Sequence, residues 1–279
     1  MSSLMSNHIL ITEKIKSFKK KINVASDKSI SIRSILLASQ AVGISKISNL
    51  LESDDVLNTL KAIKKLGINY KKKSGNYHIE GFGLNNFSFK NKITINAGNS
   101  GTLARLILGL LVKSKYRVRL TGDKSLSKRD FSRVIKPLRL FGVNIHSRKN
   151  SLPIEILGSD YLRPISYNEK IGSAQVKSCI IFCALNTPGI TKIKAKKSRN
   201  HTEQLLRSLN YPIKVNKINN IDKISISGLS QFKSFKHIIP GDISSAAFFI
   251  VLTTLSNNSE MIIKNVNINE SRIGIIKIL

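Results

Sequence analysis

The stretch Asn96–Leu111, NAGNSGTLARLILGLL, decides how this chain is read. Small polar residues make a turn over Asn99-Ser100-Gly101-Thr102, and an apolar run follows at once with Arg105 as its only cation. A Ser at such a junction can accept an N–H of the first helical turn, so the pattern predicts a capped helix. The run is too short to span a bilayer and reads as a core helix.

The same grammar recurs along the chain. DKSISIRSILLASQ begins at Asp27, GNSGTLARLILGLL at Gly98, GSAQVKSCIIFCAL at Gly172 and GDISSAAFFIVLTTL at Gly241. With Ser29, Ser100, Ser173 and Ser244 as markers, the intervals are 71, 73 and 71 residues. A fixed period signals repeated supersecondary units. A β-rich segment precedes each turn (KKINVAS, KITINAG and HIIPG among them), and a strand such as RVRLTG or ITKIKA follows the helix. SDDVLNTLKAIKKLGI and RDFSRVIKPLRLFGVNI add second helices, with apolar residues near i, i+3, i+4 and i+7 and a stop at Gly. The predicted unit is β-α-β-α-β-β.

Helix N-termini carry unpaired N–H groups and the positive dipole end, and small residues there let an anion approach. Arg33 follows Ser29 by four residues, Arg105 follows Gly101 by four, and Lys177 follows Ser173 by four. The fourth repeat has Phe248 and Phe249 there instead. One basic residue in the first turn of a capped helix is common. Three in register point to a shared anion pocket, with Lys28 adding a charge beside the first turn, whereas Arg129 after a Gly turn reads by itself as a solvated loop cation.

Composition agrees with that reading without requiring it. Across 279 residues, 46 Lys and Arg against 16 Asp and Glu give a net charge of +30, which favours anionic partners. Lys, Ile and Asn are scattered over every segment, as a compositional bias of the gene would also produce. A hydrophobic content of 41% supports a sizeable core. Aromatics are only 6% and Trp is absent, which argues against a nucleic-acid-binding surface built on stacking. Cys179 and Cys183, one turn apart in an apolar run, read as core residues in a reducing compartment, and no Cys or His cluster has metal-ligand spacing. The N-terminus MSSLMSNHILITEKIKSFKKK has no signal-peptide pattern, so a cytoplasmic protein is expected.

In order, the blocks DKSISIRSILLASQAVGISKISNLLESDDVLNTLKAIKKLGI, NAGNSGTLARLILGLL, LTGDKSLSKRDFSRVIKPLRLFGVNI, GSAQVKSCIIFCAL, SRNHTEQLL and PGDISSAAFFIVLTTL resemble those of the 5-enolpyruvylshikimate-3-phosphate synthase family, from about Lys21 to Leu279. The resemblance implies the α/β enolpyruvyl transferase fold of repeated βαβαββ units, an inside-out α/β barrel in two domains. The second domain would span 22–237, and 1–21 with 238–279 would form an incomplete, discontinuous first domain. It also implies transfer of the enolpyruvyl group of phosphoenolpyruvate to the 5-hydroxyl of shikimate 3-phosphate. Phosphate would be released through a tetrahedral intermediate, with no metal or organic cofactor and no membrane or nucleic-acid partner, in a monomer when complete. The transferase acting on UDP-N-acetylglucosamine is the nearest alternative, but no candidate for its reactive cysteine loop is found.

Position by position, the resemblance assigns Lys28, Asn99, Gly101 and Arg129 to phosphoenolpyruvate, and Ser29, Arg33, Ser173, Ala174 and Gln175 to shikimate 3-phosphate. Ser198 and Arg199 would border the latter site, and Arg105 would brace the glycine turn. Lys28 is the one candidate for acid–base work, because the other such residues of the family match no position here. The ending NINESRIGIIKIL reads as a helix cut mid-turn, so a C-terminally truncated chain, inactive alone, is expected. Three departures stand out. Ala25-Ser26 replaces Pro-Gly or Pro-Ser, Ile32 replaces His, and Asp130 replaces Pro beside Arg129, where its carboxylate could compete for the arginine.

Overall fold

A computed structural model describes residues 16–279; the segment 1–15, which holds most of the N-terminal part expected in the first domain, lies outside the described residues. The chain opens with β1 (Lys19–Asn23), α1 (Lys28–Ala38), β2 (Val42–Ser48), α2 (Asp54–Lys65), β3 (Tyr70–Lys73) and β4 (Asn76–Phe82). Next come β5 (Ile93–Asn96), α3 (Gly101–Leu110), β6 (Val118–Thr121), α4 (Lys124–Ser127), α5 (Ser132–Leu140), β7 (Asn144–Ser147) and β8 (Ile154–Leu157). A third group holds β9 (Ser166–Glu169), α6 (Ala174–Leu185), β10 (Ile190–Lys196), α7 (His201–Ser208), β11 (Ile213–Ile218) and β12 (Ile221–Ser227). The last is β13 (Lys236–Ile238), α8 (Ile243–Thr254), β14 (Glu260–Lys264) and α9 (Gly274–Ile278).

Three four-stranded sheets result, ordered β13-β2-β4-β3, β5-β6-β8-β7 and β11-β12-β10-β9. Each has one parallel pair (β13 with β2, β5 with β6, β9 with β10) and is otherwise antiparallel. This is the expected β-α-β-α-β-β unit three times over. The first unit departs in one respect. The strand read ahead of its helix, β1, pairs instead with β14 in a separate two-stranded sheet, and β13 takes the parallel edge beside β2. The reason lies at a crossing of two segments. Ser26 bridges Gly241, Asp27 N–H donates to Pro240 O at 2.8 Å, and Asp242 N–H donates to Ala25 O at 2.8 Å. That crossing carries β1 away from α1 and brings β13 in.

The helices α1, α3 and α6 form the core that the sheets surround. Helices α3 and α6 are apolar nearly all round, as helices buried on most sides tend to be, while α1 also buries Ser31, Arg33 and Ser34. Ile32, Leu36, Leu103, Leu106, Ile180 and Phe182 are fully buried on them. Close approach is possible because a Cβ at Gly109 of α3 would lie 2.3 Å from the carbonyl oxygen of Cys179 in α6. Cys179 and Cys183 are free and buried as expected, and burial pushes the Cys179 thiol up to about 12, so neither is a nucleophile. The helix α8 repeats the apolar composition but not the burial: Phe248 is 81% exposed. Among the described residues no helix is long and apolar enough to cross a membrane.

Candidate active site

The helix caps fix where the site lies. Ser100 Oγ accepts from Leu103 N–H at 3.2 Å and Ser173 Oγ from Val176 N–H at 3.3 Å, as their position predicts. The first and fourth helices are capped two residues earlier than their markers. Asp27 Oδ1 accepts from Ile30 N–H at 3.0 Å, and Asp242 Oδ1 from Ser244 N–H at 2.9 Å. Ser29 and Ser244 therefore sit inside their helices. Counted from the true caps, Arg33, Arg105 and Lys177 are six, five and four residues in, so they do not share a register.

Their environments differ accordingly. Lys177 is fully buried and turned inward, with Nζ 2.7 Å from Glu203 Oε1 and 3.2 Å from Asp222 Oδ2. The first contact is an ion pair by distance, without the angles of a hydrogen bond. Lys177 is thus a core cation and takes no part in an anion pocket, contrary to the three-cation expectation. Arg105 Nη1 donates to Gly101 O at 3.3 Å and Gln175 Oε1 at 3.1 Å, and its guanidinium lies 4.8 Å from the Phe131 ring centre. It thus ties the glycine turn of α3 to Gln175 of α6.

Arg33 is 3% exposed and held entirely by neutral oxygens. Its Nε donates to Thr202 Oγ1 at 2.8 Å, Nη1 to Ser29 O at 3.1 Å and Nη2 to Ser178 Oγ at 3.0 Å. Among the described residues it has no carboxylate within ion-pair distance. Burial lowers its pKa to about 10, opposed by the fields of Glu203 and Asp27, so it stays charged at neutral pH. A charge buried without a contacting counter-ion is costly unless something supplies the opposite charge.

What it faces is a polar cavity of about 380 Å³ lined by Ser29, Arg33, Gly172, Ser173, Ala174, Gln175, Ser198, Arg199 and Ser271. Seven of the sequence-predicted residues thereby meet, drawn from the N-termini of α1 and α6 and the loop before α7. Arg199 reaches across to Ser29 with Nη1 3.5 Å from Oγ, and burial with the nearby Arg272 lowers its pKa. The buried Ser198 hydroxyl has no protein partner. Glu169 shapes the turn before α6 by accepting from the N–H groups of Gly172 at 2.6 Å and Ser173 at 3.0 Å. Larger hollows exist, one of 420 Å³ over the third sheet and one of 780 Å³ near Phe82 and Tyr116, but neither has a buried cation facing it.

The other predicted residues gather beside this cavity, not in it. A Cβ on Gly101 would lie 2.8 Å from Arg105 Nη1 and 3.0 Å from Arg129 Nη1, so glycine leaves room for two guanidinium ends at the start of α3. Asn99 Nδ2 donates to Asp123 Oδ2 at 2.5 Å. Lys28 is exposed, with Nζ 3.0 Å from Asp55 Oδ2, a partner not foreseen. Asp130 does not engage Arg129. Its carboxylate accepts from Ser132 N–H at 2.8 Å and Ser132 Oγ at 2.5 Å, which holds its pKa below the usual range and orders the start of α5. A second hollow of about 320 Å³ runs past Arg105, Asp130 and Arg133 and shares Ser173 and Gln175 with the first. Gln175 joins the two by donating from Nε2 to Thr102 Oγ1 at 3.0 Å while accepting from Arg105. Sequence reasoning missed Gly172, Ser178, Thr202 and Ser271. The first three lie inside quoted motif blocks without having been singled out, whereas Ser271 carries no local signal.

Comparison with known proteins gives the family. Residues 12–279 match the family described as EPSP synthase (3-phosphoshikimate 1-carboxyvinyltransferase). The chain is 44% identical over 259 residues to the 3-phosphoshikimate 1-carboxyvinyltransferase of Vesicomyosocius okutanii, covering 92% of this chain and 58% of that one. It is 41% identical over 261 residues to the enzyme of that name from Streptococcus mutans, covering 92% and 60%. The EPSP synthase structure from Acinetobacter baumannii superposes with a TM-score of 0.86 at 38% identity, over 95% of this chain and 59% of that one. The chain thus spans about three-fifths of the length of the relatives it matches.

Proposed function

The chain belongs to the EPSP synthase family, and from that premise we propose that its cavity binds shikimate 3-phosphate for enolpyruvyl transfer from phosphoenolpyruvate. The single observation that carries the reading is Arg33, a buried cation held only by neutral oxygens and facing a polar cavity. An anionic ligand supplies the missing charge. Arg33 and Arg199 give fixed positive charge, and Ser29, Ser173, Gln175 and Ser198 give donors for phosphate and hydroxyl oxygens, with Ala174 in the wall. Charge-assisted contacts of this kind contribute about 1.5–3 kcal/mol each.

Phosphoenolpyruvate would lie over the Gly101 turn, its phosphate against Arg129 and the N-terminus of α3, with Asn99 and Lys28 at the rim. Gln175 spans both positions and so sets the acceptor hydroxyl beside the enol carbon. The hydroxyl gives up its proton as its oxygen adds at the central carbon of phosphoenolpyruvate, and the methylene carbon gains a proton to become a methyl group. Loss of phosphate and of one methyl proton then restores the double bond. Charge develops on oxygen in both halves, and fixed guanidinium groups stabilise it without reorganising. Lys28 is the acid–base candidate that the family resemblance assigns, and it must exchange Asp55 for substrate to act. The reading keeps the expected division into a second domain of residues 22–237 and a discontinuous first domain, in a protein that is a cytoplasmic monomer when complete.

Calorimetric titration tests it. Shikimate 3-phosphate should bind and UDP-N-acetylglucosamine should not. The reverse selectivity would move the chain to the neighbouring transferase, and binding of neither would remove the substrate assignment.

A further inference from the structure

The loop at residues 267–272 follows β14, far in sequence from the rest of the cavity, yet it contributes Ser271 to the wall. Its side chains form a chain of hydrogen bonds that reaches three other helices. Asn267 Nδ2 contacts Asp27 Oδ2 at 3.4 Å, at the cap of α1. Arg272 Nη2 donates to Asp242 Oδ1 at 2.9 Å and Ser244 Oγ at 2.6 Å, at the start of α8. Between them stands Asn269. Its Oδ1 accepts from Ser271 N–H at 2.9 Å and Ser271 Oγ at 2.8 Å, and its Nδ2 donates to Asn200 Oδ1 and Gln204 Oε1, both at 2.7 Å.

The bond to Asn200 is informative. Asn200 occupies the N-cap position of α7, where an Asn side chain ordinarily accepts an N–H of its own helix. Here it makes no such bond, and its carbonyl oxygen accepts from Asn269 instead. Asn200 directly follows Arg199, whose guanidinium reaches over the cavity to Ser29. We infer that Asn269 is a positioning residue for Arg199: by drawing Asn200 away from the α7 cap it fixes the backbone that aims Arg199 into the cavity. The same Asn269 holds Ser271 in the wall, so one amide sets two of its sides. This rests on the proposed ligand of the cavity. Asn269 itself lines no part of it.

Asn269→Asp keeps the size but replaces the two donated bonds with an acceptor facing two acceptors, and Asn269→Ala removes the bonds without adding charge. Both variants should bind shikimate 3-phosphate about tenfold more weakly. In an Arg199→Ala background either substitution should cost clearly less affinity than in the wild type, since only the Ser271 side of the wall is left to disturb. Equal losses in both backgrounds would mean a general structural role and would overturn the inference. A crystal structure of ligand-free Asn269→Ala decides the positioning without reference to substrate. Arg199 displaced from Ser29, with Asn200 turned back to cap α7, supports it, and Arg199 unmoved overturns it. If neither variant folds, Asn269 is a structural residue and the inference fails. If the wild-type chain does not bind shikimate 3-phosphate, the substrate reading falls while the crystal structure still decides the inference.

Discussion

Arg33 and Lys177 are the two buried cations among the described residues, and the chain treats them in opposite ways. Lys177 is closed off by two carboxylates, Glu203 and Asp222. Arg33 is surrounded by a carbonyl and two hydroxyls and opens on a cavity. In sequence they look alike, each a basic residue near the start of an apolar helix. The difference teaches that position along a helix does not assign a cation to a site. The charge of the groups that meet it does. A fully paired buried ion belongs to the core, and one left with neutral partners beside a polar hollow is waiting for a ligand.

Substitution at Lys177 should give the largest effect. Lys177→Met strands two buried carboxylates, which costs about 3–5 kcal/mol and should lower the melting temperature on the order of 10 °C. A melt unchanged from wild type would erase the distinction between the two cations. The positive field of the site supplies the next test. His201 is 4% exposed, and burial together with Arg33, Arg272 and Arg199 holds its pKa down to about 3. Above about pH 6.5 it is neutral both folded and unfolded and contributes no pH dependence. As pH falls from there toward 3, the unfolded chain binds a proton that the folded chain refuses, and stability drops by at most about 1.4 kcal/mol per pH unit. His201→Gln should therefore flatten melting temperature against pH between roughly 6 and 4. A curve parallel to wild type would mean that neither burial nor the neighbouring cations hold His201 neutral.

Arg129 tests a cation that is exposed, not buried. Arg129→Ala should weaken phosphoenolpyruvate binding by about tenfold to a hundredfold, and unchanged affinity in titration would take Arg129 out of the site. The smallest effect concerns α8, which has the composition of α1, α3 and α6 without their burial. Phe248 and Leu255 are each 81% exposed there, and exposed apolar faces promote association. Phe248→Ser should raise the soluble fraction at high concentration with little change in melting temperature, as read by light scattering.

Much of the fold was legible because its signals are local. Turn, cap and apolar run recur at Asp27, Gly98, Gly172 and Gly241, and the structure places a helix at each. Asp caps at Asp27 and Asp242 fit a turn capped by Gly, Ser or Asp, but the two-residue offset of Ser29 and Ser244 from Ser100 and Ser173 escaped, since Asp and Ser cap equally well and both stand at those turns. The exchange of β1 for β13 escaped because strand pairing is settled by the Ser26–Gly241 crossing, a contact between distant segments. Within the site, motif residues such as Ser173 and Gln175 fell into the cavity as read. The fate of Lys177 depended on Glu203 and Asp222, and Ser271 entered through a loop held by Asn269. Nothing in the spacing of the chain announces those meetings.

The most direct test of the central claim is titration of shikimate 3-phosphate into Arg33→Met, with a thermal melt of the same sample. Binding should fall by at least about a hundredfold while the melting temperature holds or rises, because the substitution removes a buried charge that has no protein counter-ion. Wild-type affinity in the variant, or a collapse of stability like that expected for Lys177→Met, would show that Arg33 is one more core cation and contradict the account.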